Sequence, residues 1–133
     1  MYSVTRVIHF CYGHRLMDYA GKCRIPHGHN GKIEVTIEGS TLDSLGMVMD
    51  FEEIKVKVQK WVDSEFDHKM LLNKKDPLVQ IFKDLKEPFV EFEGNPTAEA
   101  IARRIFDYAA AQKLPVSEVK LWETVNSYAT YKR

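Results

Sequence analysis

The feature that most constrains the fold of this chain is the strict alternation of apolar and polar residues over 31–38. The apolar positions are Ile33, Val35 and Ile37, and the polar positions are Lys32, Glu34, Thr36 and Glu38. Because successive side chains point to opposite faces of a strand, this pattern predicts a strand with one buried and one solvated face. Such one-sided strands are typical of antiparallel sheets, since parallel sheets are covered on both faces.

Three further strands are predicted around this one. Residues 2–10 read as a strand with Val4, Ile8 and Phe10 on one face. The last segment predicts a hairpin that turns near Asn126-Ser127. Residues 11–29, between the first two strands, are predicted to be an irregular excursion that holds functional groups on a loop.

Two long helices are predicted between the strand pairs. Asp50 is the N-cap of the first helix, whose apolar stripe extends to about Phe66. The second begins near Asn95-Pro96-Thr97 and stops before Leu114. The resulting order, strand-strand-helix-helix-strand-strand, predicts an α+β fold over residues 1–133: a single domain with a four-stranded antiparallel sheet and two helices packed on one face. The open face and edges of such a sheet predict an oligomer.

Composition excludes several classes of protein. The 133 residues suit one domain, and the 19 basic and 19 acidic side chains give a formal net charge of zero. Broad nucleic-acid or anionic-membrane surfaces need a basic excess, so we expect neither partner. The N-terminal residues do not resemble a signal peptide and no apolar run is long enough for a membrane span. We therefore expect a cytoplasmic protein with reduced cysteines.

The densest cluster of reactive side chains is the segment Cys23–His29. His27 and His29 point to the same side if the backbone is extended, and His14 lies upstream as a third imidazole. Three histidines with an open fourth position are typical of catalytic zinc. Cys23 is either a fourth ligand that closes a structural site or a reactive thiolate beside the metal. The alternative is that these histidines are ordinary core or surface residues.

Two other places carry candidate chemistry. Asp67 and His68 are adjacent, so the carboxylate can orient the imidazole for proton transfer, although taken alone the pair is better explained as an ordinary polar helix terminus. Glu123 lies in a strand, where a carboxylate is either solvated or committed to a partner such as the adjacent N–H donors of a pterin-like ring. Glu99, in the first turn of the second helix, is explained by the helix dipole alone.

Six motifs in order make the chain similar to a known family. They are Phe10-x-x-x-His14-Arg15-Leu16, Cys23-x-x-x-His27-Gly28-His29, Gly46-Met47-Val48-Met49-Asp50-Phe51, Phe66-Asp67-His68, Asn95-Pro96-Thr97-Ala98-Glu99 and Trp122-Glu123-Thr124. The chain thereby resembles the 6-pyruvoyltetrahydropterin synthase / 6-carboxytetrahydropterin synthase family from end to end. The resemblance implies the T-fold, with subunits that close into a β-barrel as trimers, usually stacked as hexamers.

The resemblance also implies roles for individual residues. The zinc ligands would be His14, His27 and His29. The catalytic residues would be Cys23 as the base, and Asp67 and His68 contributed by a neighbouring subunit. The substrate-binding residues would be Glu123, Glu99 and Thr97, which line the pterin pocket. Candidate cations for the substrate's triphosphate are Arg15, Lys22, Arg24 and Lys69, and the sequence does not choose among them.

The implied activity has two branches. The carboxy branch converts 7,8-dihydroneopterin triphosphate to 6-carboxytetrahydropterin, acetaldehyde and triphosphate for queuosine (7-deazaguanine) biosynthesis, whereas the pyruvoyl branch stops after triphosphate elimination and internal redox rearrangement. The short chain, the compact Cys23–His29 loop and the Glu123-Thr124 strand ending resemble the carboxy branch more closely. A non-catalytic zinc- or pterin-binding module and a structural Cys-His₃ zinc site remain alternatives.

Overall fold

The computed structural model describes residues 1–133 throughout. The chain forms six strands, four α-helices, a 3₁₀ turn and a π-helical turn. The elements are β1 (Tyr2–His14), a short 3₁₀ turn (Lys22–Arg24), β2 (His27–Gly39), α1 (Phe51–Ile54), a π-helical turn (Lys55–Gln59), α2 (Lys60–Glu65), β3 (Lys69–Asn73), α3 (Leu78–Leu85), β4 (Phe89–Phe92), α4 (Ala98–Ala111), β5 (Val116–Thr124) and β6 (Ser127–Lys132).

The strands form one sheet in the order β4-β3-β1-β2-β5-β6. The four strands predicted from the sequence pair antiparallel, as β1 with β2, β2 with β5 and β5 with β6. The predicted strand count was too low, because β3 and β4 extend the sheet in parallel beyond β1. These two strands are only five and four residues long, which is too short for a diagnostic pattern of alternation.

The long helices begin at the predicted residues. The Asp50 side chain accepts a hydrogen bond from the Glu52 N–H, and the Thr97 hydroxyl accepts one from Ala100 N–H. The helical stretch that starts at Phe51 continues to Glu65 through the π-helical turn. None of the helices combines the length and the apolar composition that a membrane-spanning segment requires.

A single hydrophobic core lies between the helices and one face of the sheet. Ile33, Val35 and Ile37 are fully buried, as their alternation predicts. The helices bury their stripes against the same cluster of side chains, including Val58 and Ile105. Both long helices therefore cover the same face of the sheet, which confirms the predicted α+β layering.

The first two strands are longer than predicted. β1 and β2 remain paired through the His14↔His27 pair, so the irregular segment spans only residues 15–26. The prediction of a loop over 11–29 was wrong because Gly13 and Gly28 interrupt the apolar alternation without breaking the ladder. As a result, all three histidines of the proposed zinc site stand on strands rather than on a loop.

Candidate functional site

The paired ends of β1 and β2 bring three histidines together. His14 lies opposite His27, and His29 lies opposite Tyr12, which shares the face of His14. The three imidazole centroids are 4.6–5.0 Å apart. The cluster therefore follows directly from the hairpin register and the two-residue spacing of the histidines.

Backbone carbonyls fix the tautomers of two of these rings. His14 Nδ1 donates to the Pro96 carbonyl and His27 Nδ1 donates to the Ile25 carbonyl, each at 2.7 Å. A carbonyl oxygen accepts but cannot donate, so both Nδ1 atoms carry the proton in the neutral rings. The Nε2 lone pairs are left free, which is the usual arrangement behind a metal-binding histidine.

The spacing and protonation of the cluster fit a metal ion. One ligand atom from each of His14, His27 and His29 can be chosen so that all lie within 4.8 Å of one another. The Nε2 atoms of His14 and His29 are 3.1 Å apart. This distance is close to the separation of about 3.3 Å expected between two nitrogens on tetrahedral zinc. Burial lowers the pKa of His14 to about 4 and also lowers the pKa of His29. Both rings are neutral near pH 7, so the three histidines could hold a metal ion.

Glu123 stands beside the histidines. Its two carboxylate oxygens lie 3.8 Å from His14 Nε2 and 4.0 Å from His29 Nε2. Glu123 also lines a small depression with Glu99, at the start of α4, and with Tyr128. The structure thus brings Glu99 and Glu123 together, whereas the Thr97 hydroxyl is engaged in capping α4.

Asp67 and His68 form a second preorganised pair. His68 Nδ1 is 2.8 Å from an Asp67 carboxylate oxygen, and the other oxygen accepts from the Cys11 N–H at 2.9 Å. Burial acts to raise the pKa of Asp67, but the hydrogen bonds from Cys11 and His68 outweigh it and the net pKa is lowered. The carboxylate therefore stays ionised and orients the imidazole.

The backbone holds His68 in an unusual conformation. Its φ of 60° lies in the left-handed region, and its N–H donates to the Cys11 carbonyl at 2.7 Å. The side chain is 78% exposed. Strained conformations of non-glycine residues persist where the surroundings determine them, and they cluster at functional sites.

The second pair is not hydrogen-bonded to the histidine cluster within one subunit. His68 lines a depression with Cys11 and Asn30, and the same depression also reaches His27 and His29 of β2. The Cys11 and Asn30 side chains alternate with the histidine positions along β1 and β2, so they project from the opposite face of the sheet. The hydrogen bonds of Asp67 and His68 go to each other and to Cys11, and none goes to a histidine of the cluster.

Cys23 belongs to neither group by direct contact. It lies on the 3₁₀ turn, partly buried and free of any disulfide, and its carbonyl accepts from the Leu16 N–H at 2.8 Å. No hydrogen bond joins its thiol to the histidine cluster or to His68. The single subunit thus presents the thiol and the Asp67–His68 pair separately.

A comparison with protein families decides what the chain is. The model for the family described as 6-pyruvoyl tetrahydropterin synthase matches residues 3–133. The chain belongs to this family. The resemblance drawn from the six sequence motifs is thereby confirmed.

Curated relatives within the family fall into both branches. The 6-carboxy-5,6,7,8-tetrahydropterin synthases of Rickettsia conorii and Rickettsia typhi are 36% and 38% identical, over 96% of this chain and 98% of theirs. The 6-pyruvoyl tetrahydrobiopterin synthase of Pongo abelii is 33% identical, over 98% of this chain and 90% of its own length.

Solved structures agree with the fold. An uncharacterised protein from Wolinella succinogenes superposes with a TM-score of 0.85 at 25% identity, covering 99% of this chain and 98% of that one. The 6-pyruvoyl tetrahydropterin synthase of Caenorhabditis elegans gives a TM-score of 0.72 at 26% identity, covering 99% and 95%. The predicted T-fold architecture is confirmed by these neighbours.

Two anchors of the Cys23 loop were not predicted from the sequence. Asn95, which the sequence placed only at the start of the second helix and in a family motif, accepts from the Met17 N–H at 3.0 Å and donates to the Met17 carbonyl at 2.9 Å. Arg15 donates twice to the buried Asp76, at 2.7 and 2.5 Å. Arg15 is therefore committed to the fold of the loop, which weakens its candidacy as a triphosphate ligand. An adjacent Asp76-Pro77 pair was the only available signal, and it is common in turns.

We expect Asp76→Asn to destabilise the protein by about 1–3 kcal/mol at pH 7, because the amide cannot accept both Arg15 donors. The loss is limited because Arg15 is partly exposed, so water can replace part of the interaction. Burial acts to raise the pKa of Asp76, but Arg15 and the Leu78 N–H lower it overall. A carboxylate with a depressed pKa stabilises the fold above the unfolded-state value of about 3.9 and loses this contribution as the pH falls below it. Urea unfolding at several pH values measures both effects.

The matched control is Asp63→Asn, at an exposed position of α2. The stability difference between wild type and Asp76→Asn should narrow below about pH 4, whereas Asp63→Asn should differ little from wild type at any pH. Equal losses of stability in the two variants would contradict a buried Arg15–Asp76 clamp.

Proposed function

We propose that this protein is a zinc-dependent 6-carboxy-5,6,7,8-tetrahydropterin synthase, a carbon–oxygen lyase. It would convert 7,8-dihydroneopterin triphosphate and water to 6-carboxytetrahydropterin, acetaldehyde and triphosphate, as in queuosine biosynthesis. The observation that carries the proposal is the convergence of three imidazoles with Glu123 at one end of the sheet. The carboxy branch is preferred because the two Rickettsia enzymes of that branch are more similar in sequence to this chain than the Pongo abelii enzyme of the pyruvoyl branch.

Zinc is the metal that best suits the donor set. Three histidine nitrogens without a fourth protein ligand are typical of catalytic zinc sites. The second hydrogen bonds from His14 and His27 to backbone carbonyls hold both rings in the metal-binding tautomer. When bound, zinc supplies Lewis-acid chemistry that makes C–H bonds of the substrate side chain more acidic.

Glu123 is proposed to anchor the pterin ring. A carboxylate can accept from two adjacent N–H donors at once, and charge-assisted bonds of this kind are strong. Its position beside His14 and His29 would hold the ring's side chain next to the metal. Glu99 shares the depression with Glu123, and Thr97 is proposed to line the same pocket from the start of α4.

The proton transfers are proposed to use Cys23 as the base and His68 as a second acid or base. His68 keeps its orientation through Asp67, and the exposed ring is accessible to a neighbouring chain. Since Asp67 and His68 make no hydrogen bond to the histidine cluster of their own chain, we propose that they serve the site of another subunit. We propose a trimer closed into a β-barrel, stacked in pairs as a hexamer, with active sites shared between subunits.

The assay that tests the function measures acetaldehyde and the pterin product after incubation with 7,8-dihydroneopterin triphosphate. We expect acetaldehyde and 6-carboxytetrahydropterin in equal amounts, and both should disappear after zinc chelation. The pyruvoyl product without acetaldehyde would assign the chain to the other branch. Binding of a pterin with no turnover at all would favour the non-catalytic module.

A further inference from the structure

Tyr12 carries a buried hydroxyl that no protein group satisfies. The side chain is 3% exposed, and its hydroxyl oxygen is one of two buried side-chain polar atoms without a hydrogen-bond partner. The other is Arg6 Nε, whose guanidinium still donates to Gln59 through Nη2. Buried polar groups are nearly always paired, so an orphaned hydroxyl beside a functional cluster requires a specific explanation.

The ring of Tyr12 is wedged into the candidate site. It stacks on Phe10 at 4.9 Å between centroids, and it contacts His14 and His29 at 5.2 and 5.5 Å. The Tyr12 ring is thus packed against the Phe10 ring and the two imidazoles. These contacts fix the ring on the face that carries the histidines.

Gly31 gives the ring its direction. A Cβ at Gly31 would lie 3.0 Å from the Tyr12 ring and 2.7 Å from the Phe10 ring, so only glycine leaves room for both. Gly31 and Glu123 each lie one residue beyond the Lys32↔Trp122 pair of β2 and β5. The Tyr12 ring therefore lies over Gly31. Burial, and after it the negative charge of the nearby Glu123, raise the pKa of the Tyr12 hydroxyl, so the phenol stays protonated.

We propose that the Tyr12 hydroxyl is a ligand-binding group, which donates a hydrogen bond to an acceptor atom of the heterocycle held by Glu123. This inference rests on the proposed function, because it takes the ligand to be a pterin. An ionised Glu123 can only accept, so it recognises N–H groups of the ring. A pterin places a carbonyl oxygen next to its ring N–H, and the protonated phenol of Tyr12 supplies the missing donor for that oxygen.

The proposal makes the free and bound states respond oppositely to loss of the hydroxyl. In the free protein, Tyr12→Phe removes an unpartnered polar group and keeps the ring's packing, so thermal stability should be unchanged or higher. In the complex the same change removes a hydrogen bond, and we expect an approximately tenfold weaker Kd. KM should rise by a similar factor, while kcat should change much less because the ring hydrogen bond is made in both ground and transition states.

The test uses the chain of residues 1–133 in wild-type, Tyr12→Phe and Tyr108→Phe forms. Neopterin, a fluorescent pterin without triphosphate, is titrated against each form, and each melting temperature is measured without ligand. Tyr108 stacks on Trp61, away from the histidine cluster, so its variant controls for removing a tyrosine hydroxyl. We expect only Tyr12→Phe to weaken neopterin binding.

Two results would overturn the proposal. One is an unchanged Kd in Tyr12→Phe, and the other is a lower melting temperature with unchanged binding, which would make the hydroxyl a structural group. If wild type binds and converts pterins while Tyr12→Phe does the same with unchanged constants, only the Tyr12 inference fails. If wild type neither binds neopterin nor turns over, the proposed function and the Tyr12 inference fail together.

Discussion

Cys23→Ala should abolish turnover while leaving the protein folded and loaded with zinc. The thiol is proposed to move protons, and loss of a positioned acid–base group typically costs about 10²–10⁴ in rate. The three proposed histidine ligands lie on the paired strands β1 and β2, whereas Cys23 lies outside both strands. We therefore expect kcat to fall by about two to four orders of magnitude, with a zinc content of one ion per chain as in wild type.

The control for this experiment is the other cysteine. The Cys11 thiol donates to Asn30 at 3.1 Å on the opposite face from the histidine cluster, so Cys11→Ala should change kcat by no more than a few-fold. Zinc content by elemental analysis, circular dichroism and turnover are measured for both variants. Joint loss of zinc and fold in Cys23→Ala would instead indicate the structural Cys-His₃ site that the sequence left open.

Local patterns made most of the sheet and both long helices predictable. Alternation identified the buried face of β2, and the side chains of Asp50 and Thr97 signalled helix starts that the structure shows as N-caps. β3 was missed because it depends on a contact between segments distant in sequence. Its start is fixed where the His68 N–H meets the Cys11 carbonyl, and no local pattern encodes that meeting.

The candidate site divides in the same way. His27 and His29 were grouped by their spacing alone, whereas the position of His14 opposite His27 is a property of the hairpin register. Tyr12 was invisible as a functional candidate because an aromatic residue at an alternating apolar position reads as core. Two observations distinguish Tyr12 from a packing residue: its hydroxyl is buried without a hydrogen-bond partner, and its ring occupies the space that a side chain at Gly31 would fill.

Two inactive variants should restore activity when they assemble together. Cys23→Ala lacks the proposed base, and His68→Asn lacks the proposed acid while keeping a residue type that tolerates the positive φ at this position. If each site takes Cys23 and the histidines from one subunit and His68 from its neighbour, mixed oligomers contain intact sites. Random mixing at equal amounts should give about one quarter of the wild-type activity.

The experiment co-expresses the two variants with different affinity tags and purifies oligomers that carry both. The control mixes Cys23→Ala with His27→Ala, two residues proposed to serve the same site from the same chain. That mixture should stay inactive, because every site takes both Cys23 and His27 from one chain. Each chain lacks one of the two residues, so no intact site can form. Restored activity in the control, or no restored activity in the Cys23→Ala and His68→Asn mixture, would contradict active sites shared between subunits. The Asp67–His68 pair makes no hydrogen bond to the histidine cluster within one subunit, and this is the physical reason to expect restoration only in the first mixture.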